Sequence, residues 1–356
     1  MRLLDRRLLA LALLTACPPD RLAAQSVHGT FPLRLVFTGD INLGTRTLEN
    51  GLPADSGRRL FAGVDSLLKG DLVIGNFEGV LSDSGESAKC APKSTHCYAF
   101  ATPTWLAARL RDAGFTHLNQ ANNHANDYGV DARIETASIL RNLGLTPYGP
   151  VDMFAITPVE KDGQFMLVGV VGFATYPHAY NLLDLAGSAE IIREVRPLVD
   201  VLLVTFHGGK EGKAAVRTPS APEFLVREPR GNLRKWARVV IDAGADLVVG
   251  HGPHVLRGVE FYRGRPIFYS LGNFVTYRGF NLEGPLGLTT ALQVDLDAQG
   301  GYVGARMPSL VQLPDSLGGT QPDTGLGALK LLRRVTRLDF PLTGARFGDD
   351  GTVHSP

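Results

Sequence analysis

Five apolar runs of the chain each end in polar residues able to do chemistry. VFTGDIN delivers Asp40 and Asn42, VIGNFE delivers Asn76 and Glu78, LNQANNH delivers Asn122, Asn123 and His124, VTFH ends on His207, and VVGHGPH carries His251 and His254. Carboxylate oxygens and imidazole nitrogens are ligands for divalent metals, and an imidazole also moves protons near neutral pH. Asp40 and Asn42 stand two residues apart, which puts both on one face of an extended segment. Read alone, Asp40 is equally a helix cap and Glu78 a loop hydrogen-bonding group. The loop ANNHANDYG is more specific, because it crowds Asn122, Asn123, His124 and Asp127 into one short stretch; its alternative reading is a set of Asx turns capped by Asp127.

The candidate catalytic residues are therefore His124 and Asp127. The candidate metal ligands are Asp40, Asn42, Glu78, Asn123, His207, His251 and His254, and the cofactor they imply is one or two divalent ions such as zinc, manganese or iron. Asn76, Asn122, Glu211 (four residues after His207) and Asn273 in SLGNF are candidates for supporting the ligands or touching substrate. His117, inside an apolar run, reads as a packed or surface histidine and not as a ligand.

To serve one site these residues must sit on one rim. The apolar runs read as buried parallel strands, and α/β folds build their sites at the carboxyl ends of such strands. Helix-like LFAGVDSLLKG, WLAARLRDAG and LRKWARVVIDAG alternate with DLVIG, FTHLN and ADLVVG, and Gly114 and Gly244 end two of the helices. Arg263-Gly264-Arg265 and Gln299-Gly300-Gly301 read as turns between antiparallel strands, so the carboxyl half adds antiparallel structure. The tail beyond about Leu313 is expected to pack on the outside, with GDDGTVHSP mobile.

The 356 residues are 44% hydrophobic and 20% charged, an ordinary globular composition. The first 16 residues hold three Arg and one Asp, so the rest carries 33 basic against 34 acidic side chains, and nothing in this balance favours nucleic acid as a partner. MRLLDRRLLALALLTAC has a basic start and an apolar stretch too short to span a bilayer, which reads as an export signal. Leu14-Thr15-Ala16-Cys17 resembles a bacterial lipobox, making Cys17 the expected lipidation site; cleavage after Ala24 is the competing reading. Cys90 and Cys97 flank APKSTH and close it as a disulfide in an oxidising compartment, or, with His96, form a metal site.

The ordered series Asp40-x-Asn42, Glu78, Asn123-His124, His207 and His251-x-x-His254 resembles the calcineurin-like metallophosphoesterase pattern. It is more similar still to the CapA-type poly-gamma-glutamate capsule biosynthesis family, from Leu33 to Phe274, through FTGDINLG, GNFEGVL, ANNHANDYG, HGGKE and GHGPHVLRGVEFYRGRPIFYSLGNF. The resemblance implies an α/β fold, a metallophosphoesterase-like four-layer αββα sandwich. With the amino-terminal reading, the chain is expected to divide into a lipoprotein signal peptide (1–16), a tether (17–30), a CapA/metallophosphatase-like domain (31–313) and a carboxyl-terminal extension (314–356) that packs on the domain and is partly mobile. The resemblance further implies a membrane-anchored lipoprotein facing the periplasm or cell exterior. Its expected partners are poly-gamma-glutamate or a related anionic polymer and a capsule synthetase complex. The implied activity is metal-dependent hydrolysis of an amide or phosphoester; a non-catalytic polymer-binding or assembly lipoprotein and a phosphodiesterase are the alternatives. Departures from the two patterns include Asn42 in place of histidine and Asn76 with Glu78 in place of paired aspartates. Gly208 and Gly252 replace larger residues, and the expectation is that they widen the pocket.

Overall fold

The computed structural model describes residues 27–87, 89–90, 97–312 and 319–356. The expected signal segment, Cys17, Ala24 and His96 lie outside the described residues. Two sheets meet face to face. The first is centred on parallel strands β1 (Leu33–Asn42), β2 (Leu72–Phe77), β3 (His117–Asn119) and β4 (Thr146–Tyr148). The second is centred on parallel strands β5 (Gln164–Ala174), β6 (Val201–His207), β7 (Leu247–His251) and β8 (Arg265–Phe268). Antiparallel strands extend both: Ala291–Leu296 runs beside β1, and Val259–Tyr262 forms a hairpin with β8 through Arg263 and Gly264, both at positive φ as a two-residue hairpin turn requires.

Strands β2, β6 and β7 are buried along their full length because both faces are covered. One face of each sheet supplies the central core: Leu35, Phe37 and Ile74 from the first pack with Val168, Leu203 and Val249 from the second. On the outer face of the first sheet, Val36, Val73 and Leu118 meet Leu110 of α1 (Ala108–Asp112) and Leu140 of α2 (Gly129–Asn142). On the outer face of the second, Val171, Leu202 and Val248 meet Ile192 of α3 (Leu185–Val195) and Trp236 and Val240 of α4 (Leu233–Ala243). The order is helix, sheet, sheet, helix, a four-layer α/β sandwich.

Helix α4 shows why these segments are helical. Asn232 caps it by accepting from the Lys235 amide, Leu233, Trp236, Ala237, Val240 and Ile241 form the buried stripe, and Gly244 at φ 125° stops it. Among the described residues no helix is long and apolar enough to cross a membrane.

The carboxyl-terminal segment departs from the expectation of an outer extension with a mobile end. Helix α5 (Gly327–Asp339) puts Leu331, Leu332 and Val335 into the same core as β1 and β6, and Val353 joins them. Thr352–His354 pairs with Tyr302–Arg306 and Arg346–Phe347 pairs in turn with it, so GDDG is the turn between two edge strands. The polar composition misled because a short strand near the sheet's edge needs only one apolar residue, Val353, facing inward.

Candidate metal centre

The carboxyl ends of β1, β2, β3, β6 and β7 meet on one rim. Gly39 makes the first of these ends possible: a Cβ there would lie 1.9 Å from the Gly272 carbonyl oxygen, which accepts from the Asp40 amide at 2.9 Å. His207 and His251 are register partners at the ends of β6 and β7. The two sheets are stitched together here, since His251 Nε2–H donates to the Thr38 carbonyl at 2.9 Å and Asn76 Nδ2 lies 3.3 Å from His207 Nδ1.

Asp40, Glu78 and His207 are fully buried, and each offers a ligand atom within 4.8 Å of the others, so they form a buried group able to hold a metal ion. Both Glu78 carboxylate oxygens and His207 Nε2 have no hydrogen-bond partner among the described residues. Buried carboxylates in that condition are costly, and a divalent cation held by hard oxygens and an imidazole is the partner this donor set fits. His254 closes the group from β7's loop, with Nδ1 3.0 Å from Asp40 Oδ2 and Nε2 3.7 Å from Glu78 Oε1. Its backbone is at φ 59°, a conformation non-glycine residues seldom adopt.

Charge is distributed unevenly. Burial pushes the Glu78 carboxyl well above the usual carboxylate range, outweighing the pull of His254. Burial acts the same way on Asp40, but the hydrogen bond and charge of His254 win and hold it low. For His254, burial is outweighed by Glu78 and Asp40, which raise the imidazole to about 10. His207 is pushed well below its ordinary value by burial, and His251 is lowered by the same cause.

His124 sits beside this group. Its Nδ1–H donates to Asp127 Oδ2 at 2.7 Å, and its Nε2 faces Glu78 Oε1 at 3.9 Å. Burial lowers its pKa despite Asp127. Asp127 therefore fixes the ring and leaves Nε2 as the nitrogen available for proton exchange. The side-chain oxygen of Asn123, on the same loop, is buried without a hydrogen-bond partner among the described residues and has lone pairs available to a cation.

Other expected residues hold different places. Asn42 is engaged by the backbone: its Nδ2 donates to the Glu78 carbonyl at 2.9 Å and its Oδ1 accepts from the Gly44 amide, so it positions the Glu78 backbone. Asn122 donates to Asn76 Oδ1 and the Phe77 carbonyl and accepts from the His124 amide, which orients the loop. His251 stands outside the three-residue group: its Nε2–H is turned to Thr38, while its Nδ1 is buried without a hydrogen-bond partner among the described residues. Asn273 lies 3.1 Å from His254 Nδ1, and Glu211 lies 4.0 Å from His254 Nε2 while pairing with Arg230 at 2.8 Å. His117 is packed, between Thr116 and Thr157 hydroxyls. Cys90 and Cys97 are disulfide-bonded.

The expected widening at Gly208 and Gly252 is absent. Gly252, at φ 111°, would set a Cβ 2.8 Å from the Gly208 backbone, and a Cβ on Gly208 would lie 3.1 Å from the Arg230 carbonyl and 3.2 Å from Leu182. The two loops fill each other's space.

Sequence reasoning missed Arg230, which is fully buried among Glu211, Glu228 and Tyr176, and Asn119, which donates to Asn76. It also missed Lys89, Phe100 and Phe280; Phe100 packs on His124 and Phe280, and Phe280 packs edge-on against His254. Asn119 had a signal, lying two residues before Ala121 at the same strand end. The others come from loops whose contacts only the tertiary fold sets.

A family model for the bacterial capsule synthesis protein PGA_cap matches residues 34–278. The chain is similar to the PGA biosynthesis protein CapA of Bacillus subtilis (strain 168), 31% identical over 266 residues, covering 68% of this chain and 63% of that one. It is similar too to the capsule biosynthesis protein CapA of Bacillus anthracis, 32% identical over 262 residues, covering 70% and 61%. The match thus spans less than two thirds of the length of these relatives. Among solved structures, a 5'-nucleotidase candidate from Staphylococcus aureus in complex with alpha-ketoglutarate aligns with a TM-score of 0.46 and 14% identity, over 85% of this chain and 58% of that one. By the extent of the family match, the chain belongs to the bacterial capsule synthesis protein family PGA_cap.

Proposed function

We propose that the protein is an exported, lipid-anchored, metal-dependent hydrolase that processes poly-gamma-glutamate or a related anionic envelope polymer, working beside a capsule synthetase complex. The observation that carries this reading is the buried Asp40–Glu78–His207 group whose Glu78 oxygens have no hydrogen-bond partner among the described residues. Asp40, Glu78, His207 and His254 would hold one ion, with Asn123 available to a second; zinc, manganese and iron all suit this mixed oxygen and nitrogen set. A bound divalent ion supplies Lewis-acid polarisation and lowers the pKa of water. The chain's own part is proton transfer at His124 Nε2, with Asp127 fixing the tautomer, and exclusion of bulk water by Phe100 and Phe280. The names of the Bacillus relatives and the lipobox-like Cys17 support the polymer and the anchor.

The test combines metal analysis with hydrolysis of a gamma-glutamyl polymer and a phosphodiester panel. We expect His124→Ala to lose turnover by about 100-fold or more while bound metal is retained. Full turnover in that variant sinks the assignment, phosphodiester cleavage alone transfers the site to another substrate class, and no metal uptake after careful loading favours a polymer-binding protein.

A further inference from the structure

The segment containing the disulfide converges on His124 and Asp127 from both of its ends. On the amino-terminal side, Lys89 Nζ pairs with Asp127 Oδ1 at 2.5 Å and donates to the Asn123 carbonyl at 3.1 Å, and Ser87 donates to the Asp127 carbonyl. On the carboxyl-terminal side, the Phe100 amide donates to Asp127 Oδ2 at 2.7 Å, the Phe100 ring packs on His124 at 4.5 Å, and Tyr98 stacks on Phe100. Cys90 and Cys97, each next in sequence to one of these arms, are joined. Asp127 is 1% exposed, so the hydrogen bonds from His124, Lys89 and Phe100 are what satisfies its carboxylate.

We propose that this segment is a redox-sensitive clamp, in which the Cys90–Cys97 disulfide holds Lys89 and Phe100 as positioning residues for the His124–Asp127 pair. The inference rests on the reading of His124 as the proton carrier of the site. Six residues separate the two cysteines in sequence, and the bond closes a short loop whose free ends would otherwise explore many arrangements. Both cysteines are half-buried. Reduction by a dithiol breaks the S–S bond: two electrons and two protons pass to the cysteine sulfurs as the dithiol closes to its own disulfide. Opening the loop frees Lys89 from Asp127 without touching Asp40, Glu78 or His207. The protein would then bind metal in either redox state but hold His124 in register only when oxidised.

The experiment records the imidazole 15N signals of His124, assigned with His124→Gln, together with metal content, thermal unfolding and hydrolysis. Oxidised protein is compared with protein reduced by dithiothreitol, with the Cys90→Ser/Cys97→Ser double variant, and with Lys89→Met and Lys89→Arg. We expect the first three changes to move the His124 signals and to lower turnover by about tenfold, with metal content unchanged and unfolding still cooperative. Lys89→Arg should restore both signals and turnover. Signals that stay put in reduced and Lys89→Met protein overturn the clamp, as does a loss of metal or of cooperative unfolding on reduction. If the wild type hydrolyses nothing while the His124 signals still respond, the clamp stands and the hydrolase reading fails.

Discussion

Glu78 is the residue whose environment most needs explanation: a fully buried carboxyl, no hydrogen-bond partner for either oxygen among the described residues, and burial pushing its pKa well up. Replacing it with Gln keeps the volume and removes the charge. Metal stoichiometry should fall toward zero under loading that saturates the wild type. The metal-free variant should unfold within roughly 1 kcal/mol of wild type, or above it, because a buried carboxyl without hydrogen bonds has been removed. Unchanged stoichiometry would show that the group is not a metal site. His117 makes a separate prediction, away from that chemistry. It is 2% exposed and burial lowers its pKa from 6.5 to about 4. Above pH 6.5 it is neutral in both folded and unfolded chains and stability does not respond. As pH falls from 6.5 towards 4 the unfolded chain takes up a proton that the folded one refuses, so stability is lost across that window. The loss is about 3 kcal/mol. Urea unfolding of His117→Gln at pH 7 and pH 4.5 should show a flatter pH dependence than wild type; parallel curves would mean the ring titrates normally.

Three strand ends are tied together by one side chain, Asn76. Its oxygen accepts from Asn119 Nδ2 at 3.0 Å and Asn122 Nδ2 at 3.1 Å, and its nitrogen donates to Asp40 Oδ1 at 2.8 Å. Asn76→Leu strands three buried polar groups at about 1–3 kcal/mol each, so the urea midpoint should drop by the equivalent of roughly 3 kcal/mol or more. A midpoint within error of wild type would mean that β1, β2 and β3 are aligned by packing alone. Much of this rim was legible beforehand, because continuous apolar runs have to be covered strands and a polar cluster after each one has to lie at its carboxyl end. What each polar residue does there was not legible. Asp40-x-Asn42 reads as a pair of ligands, yet Asn42 serves the backbone of a neighbouring strand end. His251 and His254 share one motif, yet the first is turned to Thr38 in the opposite sheet and the second to Asp40 and Glu78. Such differences depend on which carbonyl of another strand comes within 3 Å, and strand periodicity carries no record of that.

At the scale of the whole molecule, the central core is assembled from both ends of the chain. Leu33 and Leu35 open it, and Leu332, Val335 and Val353 close it, nearly three hundred residues later. Asp339, buried at the end of α5, adds a polar tie by pairing with Arg217 and accepting from the Thr218 amide. A chain ended after Gln312 would still contain every residue of the candidate metal centre, so a reading of 314–356 as an accessory extension predicts a stable, metal-binding fragment. The packing predicts otherwise. Each fully buried leucine or valine contributes about 1.5–3 kcal/mol, and α5 with its following strands removes several of them from a fold whose total margin is about 5–15 kcal/mol. The truncated chain should therefore lose cooperative thermal unfolding and expose the inner face of β1's sheet to apolar dyes, while Leu332→Ala in the full chain should cost about 2–5 kcal/mol and leave metal binding intact. A truncated protein that melts cooperatively near the wild-type temperature would return the segment to the role of an appendage and place the core's limit before Leu313.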